Sequence, residues 1–161
     1  RQVSSGNFKH TGAPEWTPDG KRLIFSGNRN ENWELDYRNS EIYSVDIESG
    51  KSVALTERNG PDFAPVISPD GRKIAYLGYA DKVQTYQVTR LHVMDADGGN
   101  KRELLTDLDR SVSDIAWTGD GIWFTYDDRG DTRIALAKLD GSYRDVATNL
   151  GGTTIGRPYG G

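Results

Sequence analysis

The sequence contains no cysteine, one methionine and two histidines in 161 residues. Without cysteine the chain forms no disulfide, no thiolate zinc site and no cysteine nucleophile. Long apolar runs are missing as well. Hydrophobic residues make up 35% of the chain, and no stretch approaches the roughly 20 apolar residues of a membrane span. Positive charge is scarce: 20 Lys and Arg stand against 24 Asp and Glu, for a net charge of −4. No basic stripe with interleaved aromatics occurs, so no nucleic-acid partner is expected. No metal site or cofactor is expected either. The opening "RQVSSGNFKH" is polar and holds no signal-peptide core. The lack of cysteine suits a bacterial cytoplasm or periplasm and decides neither. Arg1 at the start and "RPYGG" at the end read as cut ends, so a longer parent protein is expected.

What is present is glycine, 19 of them, with many Asp and Asn. This favours a turn-rich fold of short strands over a helical bundle. One turn is written repeatedly: "TPDGKRLIFSG" at 17–27, "SPDGRKIAYLG" at 68–78 and, degraded, "TGDGIWFTYDD" at 118–128. Gly20, Gly71 and Gly121 end these turns, 51 and 50 residues apart. Pro presets the first turn torsion and Asp-Gly tolerates the tight bend. In the third copy Gly119 replaces the proline. A strand follows each turn, then a second: "EIYSVDI" at 41–47, "RLHVMDA" at 90–96 and "RIALAKL" at 133–139. Gly-bearing connections, "ESGK", "DGGN" and "DGSY", read as two-residue hairpins. Third strands then close on Thr: "SVALT", "RELLT" and "RDVAT". A further strand lies around "APEW", "APVI" and "DIAW", ahead of each turn.

Four antiparallel strands in a repeat of about 50 residues mark a β-propeller blade. The expected fold is all-β, a partial propeller of about three four-stranded blades. Their bounds are approximately 11–62, 63–112 and 113–157, with 158–161 starting another. "ENWELDYRN" at 31–39 could hold a helical turn but reads better as a lengthened loop. Propellers close with 4–8 blades, so an open set leaves sheet faces bare. Self-association through those faces into a homo-oligomer is expected of the isolated chain.

Three stretches carry a family resemblance: "PEWTPDGKRLIF" with "PVISPDGRKIAY", "SEIYSVDIESGKSVALT" with "RLHVMDADGGNKRELLT", and "DLDRSVSDIAWTGDGIWFTYDDRGDTRIALAKLDG". Together they resemble the N-terminal propeller of the prolyl oligopeptidase superfamily of serine peptidases, in its acylaminoacyl-peptidase and dipeptidyl-peptidase branch. The TolB propeller of bacterial envelopes has similar turns. The longer inserts "NRNENWELDYRNS" and "YADKVQTYQVT" favour the peptidase. The resemblance implies a C-terminal α/β-hydrolase domain, absent from this chain, with a Ser-Asp-His triad on a G-x-S-x-G elbow. No G-x-S-x-G occurs here, so no catalytic residue is expected in this chain. It implies a gate that admits short peptide substrates to that domain. The alternative is a TolB-like protein-binding propeller without enzymatic activity.

Dipeptidyl peptidases of this superfamily can hold a substrate's free amino group with acidic propeller side chains. Glu31 and Glu34, on a blade insert, are the substrate-binding candidates, with solvated loop glutamates as the competing reading. His92 reads as an ordinary surface or satisfied strand histidine. "DADGG" at 95–99 resembles a calcium loop but reads as a hairpin turn, and "DLDRSVSD" at 107–114 reads as a solvated loop. Arg-Gly-Asp at 129–131 reads as a blade turn. Trp33, Tyr37, Tyr79 and Tyr86 would have to form one stacking platform if the chain bound carbohydrate.

Overall fold

The computed structural model describes residues 6–151. They form twelve strands in three four-stranded antiparallel sheets, without a helix. The first sheet holds β1 (Lys9–Trp16), β2 (Arg22–Asn28), β3 (Glu41–Asp46) and β4 (Ser52–Ala54). The second holds β5 (Asp62–Ile67), β6 (Lys73–Gly78), β7 (Arg90–Asp95) and β8 (Arg102–Glu103). The third holds β9 (Val112–Thr118), β10 (Gly121–Asp128), β11 (Asp131–Ala137) and β12 (Tyr143–Ala147). Each sheet keeps its strands in chain order. The expected start of another blade at 158–161 lies outside the described residues.

The repeated turn is a closed hydrogen-bond circuit. In the first copy Thr17 Oγ1 donates to Asp19 Oδ1 at 2.6 Å and accepts from Arg22 N at 3.0 Å. Lys21 N donates to the same Asp19 oxygen. The second copy repeats it: Ser68 Oγ to Asp70 at 2.6 Å, Lys73 N to Ser68 at 2.9 Å, Arg72 N to Asp70 at 3.1 Å. Gly20 and Gly71 close the turns at φ 67° and 71°, in the left-handed region. The hydroxyl, Asp and Gly are therefore each required. These bonds hold Asp19 and Asp70 below the usual carboxylate range. The third copy, lacking Pro, closes more tightly: Thr118 pairs directly with Gly121, leaving Gly119 and Asp120 as a two-residue turn.

The hairpins after β3, β7 and β11 are longer than the two-residue connections expected. Asp95 N bonds Gly99 O and Gly98 N bonds Asp95 O, enclosing three residues; Lys138, Gly141 and Ser142 repeat this pattern. After β3, Asp46 N reaches Lys51 O, enclosing four. Gly50, Gly98 and Gly141 sit at φ 71°, 89° and 90°, the left-handed residue such loops need. β11 also begins two residues earlier than read from sequence, because Asp131 pairs with Asp128 across the Arg129–Gly130 turn. The Arg-Gly-Asp stretch is thus that turn and the strand start after it.

Strand alternation sorts side chains between two seams. On the second sheet Ile74, Tyr76 and Met94 pack toward the first sheet with Ile24, Ile42 and Leu55. Ala75, Leu77, Leu91 and Val93 point the other way, against Ile122, Phe124, Tyr126, Ala135 and Ala137 of the third. The period of two in sequence is therefore the stacking of blades.

Candidate functional site

The first strands converge: β1 packs against β5, and β5 against β9. This places them innermost, about the line on which the blades meet. A cavity of about 700 Å³ opens there, lined by Thr11, Gly12 and Glu15 of β1, Phe63, Ala64 and Val66 of β5, and Ile115 of β9. Tyr37 and Arg38, from the β2–β3 insert, and Tyr79, after β6, are among its other lining residues.

Each inner strand carries a bulge at the same place. Thr11 and Glu15 pair with Ser26 and Ile24; Phe63 and Val66 with Leu77 and Ala75; Ser113 and Ala116 with Thr125 and Trp123. The extra residues lie opposite Phe25, Tyr76 and Phe124, an aromatic in every blade. Each bulge has one left-handed residue: Gly12 at φ 77°, Ala64 at 49° and Asp114 at 46°. Pro14 and Pro65 fall within two of the bulges, where no ladder donor is needed. The bulges bend the inner strands and re-aim their side chains around the cavity. Apolar walls, two tyrosines and scattered charges suit an extended peptide. Neither histidine lines this cavity.

Glu31 and Glu34 are not brought to it. Both are exposed on the β2–β3 insert and neither lines the cavity. The insert is a chain of turns; Asp36 N bonds Asn32 O and Asn28 Nδ2 bonds Asp36 O. Trp33 lines neither this cavity nor the cleft at Tyr86, whereas Tyr79 lines both and Tyr37 only the cavity. The four aromatics therefore form no common platform.

A second polar cluster sits in the seam between the first two sheets. Glu41 opens β3 and is buried; Thr56 Oγ1 donates to its carboxyl at 2.5 Å and accepts from Ile42 N at 2.9 Å. Asp62, 1% exposed, pairs with Arg58. Arg58 also donates to His92 Nε2 at 3.0 Å, and His92 stacks on Tyr76 with ring centres 5.2 Å apart. Asp62 O accepts from Ser26 of β2 and from Ser40, just ahead of β3. Burial, reinforced by the Asp62 charge and opposed by the Thr56 hydrogen bond, raises Glu41 to about 7. Burial also pushes Asp62 up, against the pull of Arg58. Burial, then Arg58, lowers His92 to about 4, and burial lifts Tyr76 to about 12. His92 is thus the satisfied strand histidine expected. The rest of the cluster went unread. Its signals were the Thr closing each third strand and the Glu at the head of "EIYSVDI".

The TolB β-propeller domain family, PD40, matches residues 1–154. Dipeptidyl-peptidase 5 of Arthroderma otae is 30% identical over 126 residues, covering 71% of this chain and 17% of the relative. The uncharacterized peptidase YuxL of Bacillus subtilis is 32% identical over 108 residues, covering 67% and 16%. The chain thus spans about one sixth of the length of these curated relatives. Among solved structures, an oligogalacturonate lyase in complex with manganese superposes with a TM-score of 0.74 at 17% identity, covering 92% of this chain and 44% of that one. A putative TolB from Agrobacterium tumefaciens superposes at 0.70 with 24% identity, covering 93% and 53%. These likenesses share the fold. With nearly all of its length matched and its three blades in place, this chain belongs to the TolB β-propeller domain family, PD40.

Proposed function

We propose that this chain is the substrate-gating propeller portion of a serine peptidase that hydrolyses short peptides. The Ser-Asp-His triad sits in a hydrolase domain outside this sequence. The observation that carries the reading is the pair of peptidase relatives at 30% and 32% identity over two thirds or more of the chain. The axial cavity of about 700 Å³ supports it, since its apolar walls and two tyrosines suit an extended peptide. Screening a reactive site from bulk protein and water is an established use of such covers. Glu31 and Glu34, exposed on the β2–β3 insert beside Tyr37 and Arg38, are the proposed contacts for a free amino group.

The test is hydrolysis of chromogenic dipeptide and acyl-amino-acid substrates by the natural full-length gene product. Tyr37→Ala and Tyr79→Ala should change KM for peptides while leaving small ester turnover intact. Absence of any peptidase activity overturns the reading. A protein-binding propeller then takes its place, an alternative favoured by the family match and by the TolB superposition.

A further inference from the structure

The β6–β7 connection, residues 79–89, is fixed by its own hydrogen bonds. Lys82 N donates to Gln87 Oε1 at 2.6 Å, Gln87 Nε2 to Asp81 Oδ1 at 2.7 Å, and Val83 N to the same Asp81 oxygen at 2.7 Å. This clasp holds Val83 at φ 54° although the residue is β-branched and 88% exposed. Such a conformation costs free energy and persists only where the surroundings impose it. It flanks Lys82, which lines a cleft of about 410 Å³ beside the second sheet.

The cleft walls bear Arg58, Lys82, Tyr86, Arg90, His92 and Glu103. It meets a neighbouring cleft of about 380 Å³ at Arg58, His92 and Glu103, and Lys101 and Arg102 line that extension. Arg58 is committed to Asp62 and His92. Arg90 spends one nitrogen on Leu108 O and faces Glu103 loosely, at 3.7 Å. Lys82 is exposed. Glu57 and Asp62 also line the extension, so five cations (Arg58, Lys82, Arg90, Lys101, Arg102) face three carboxylates (Glu57, Asp62, Glu103), on a chain whose net charge is −4. Burial above all, then Arg58 and to a smaller degree Arg90, press His92 toward its neutral form.

We propose that this groove binds an anionic group, a carboxylate or a phosphate, with Lys82 and Arg90 as its direct partners and the Arg58–His92 pair as its floor. Two cations converging on one anion in a partly enclosed cleft give charge-assisted hydrogen bonds. The clasp around Val83 presets the lysine side of the site, so binding loses less ordering entropy. Glu103 is displaced from its loose contact with Arg90 by the incoming anion. The site adjoins the axial cavity at Tyr79 but has its own charged walls, and it does not depend on the peptidase reading.

The test follows the imidazole resonances of His92 in the full chain by NMR while inorganic phosphate, or acetate, replaces chloride at constant ionic strength. The expected result is a saturable shift for at least one of the two, with the His92 titration midpoint moved upward on binding. Saturation by phosphate alone assigns a phosphate group, and by acetate a carboxylate. Lys82→Ala should weaken the response about tenfold and Lys82→Glu should abolish it, while Lys82→Arg retains it. No saturable shift with either anion, or an unchanged affinity in Lys82→Glu, overturns the proposal.

Discussion

Glu41→Gln tests the electrostatics of the seam. Glu41 is 7% exposed, and its carboxyl titrates near 7 rather than at the ordinary 4.5. A raised folded-state value means that the folded protein holds this proton more tightly than the unfolded chain. Its contribution is therefore complete below pH 4.5 and is lost as pH rises through 7. At about 1.4 kcal/mol per pKa unit, the ionised form costs about 3 kcal/mol of stability at pH 8. Gln keeps the oxygen that accepts from Thr56 Oγ1 and discards the charge. Glu41→Gln should thus be more stable than the parent by about 3 kcal/mol at pH 8, a rise in Tm of about 6–12 °C, and equal to it at pH 4.5. His92 sharpens the comparison. Lowered to about 4 from 6.5, it is protonated more readily in the unfolded chain, so stability falls as pH drops from 6.5 toward 4. In the parent the two trends offset, and Asp62 adds to the Glu41 side. In Glu41→Gln the acid loss should stand exposed. Thermal and urea melts across pH 4–8 read both effects. A Glu41→Gln protein less stable than the parent at pH 8 would refute the reasoning, since the ionised carboxylate would then be stabilising.

His92→Gln should lose baseline stability with its stacking on Tyr76, yet flatten the acid limb, a change of slope of about 3 kcal/mol between pH 6.5 and 4 that urea melts resolve. Gly20→Ala should cost about 1 kcal/mol for its left-handed φ of 67°. Gly71→Ala should cost more, because its new methyl would lie 3.1 Å from Pro18 across the seam; equal losses would show that this turn contact is soft. Phe124→Ala, at 1% exposed, should cost about 3–5 kcal/mol. Trp16→Ala, at 56% exposed, should stay within about 1 kcal/mol in the same chemical-denaturation assay.

The blade repeat was legible because each of its signals has a local cause. Thr17 or Ser68, the Pro, the Asp and the Gly each fill a fixed place in one turn circuit, and spacing alone then exposes the repeat. Strand alternation was equally plain, since Ala75 and Tyr76 must face opposite seams. Loop lengths were less plain. "DGGN" looks like a two-residue turn, yet a left-handed Gly suits two- and three-residue loops alike, and here the loop encloses three with Gly98 at φ 89°. The bulges were hidden because "APEW", "APVI" and "DIAW" share no residue type that marks a left-handed position. The seam cluster escaped for another reason. Glu41 and Asp62 lie 21 residues apart on different sheets, and only blade stacking buries them together. Glu31 and Glu34 stand out in sequence by their charge on an insert, whereas the axial cavity is lined by the neighbouring Tyr37 and Arg38 of the same loop.

The most direct test is to treat the natural full-length gene product with a serine-directed fluorophosphonate and locate the labelled residue by mass spectrometry. One labelled serine within a G-x-S-x-G segment outside these 161 residues, with loss of peptide hydrolysis, is the predicted result. A protein that takes no label and cleaves no peptide would contradict the account and leave a binding propeller.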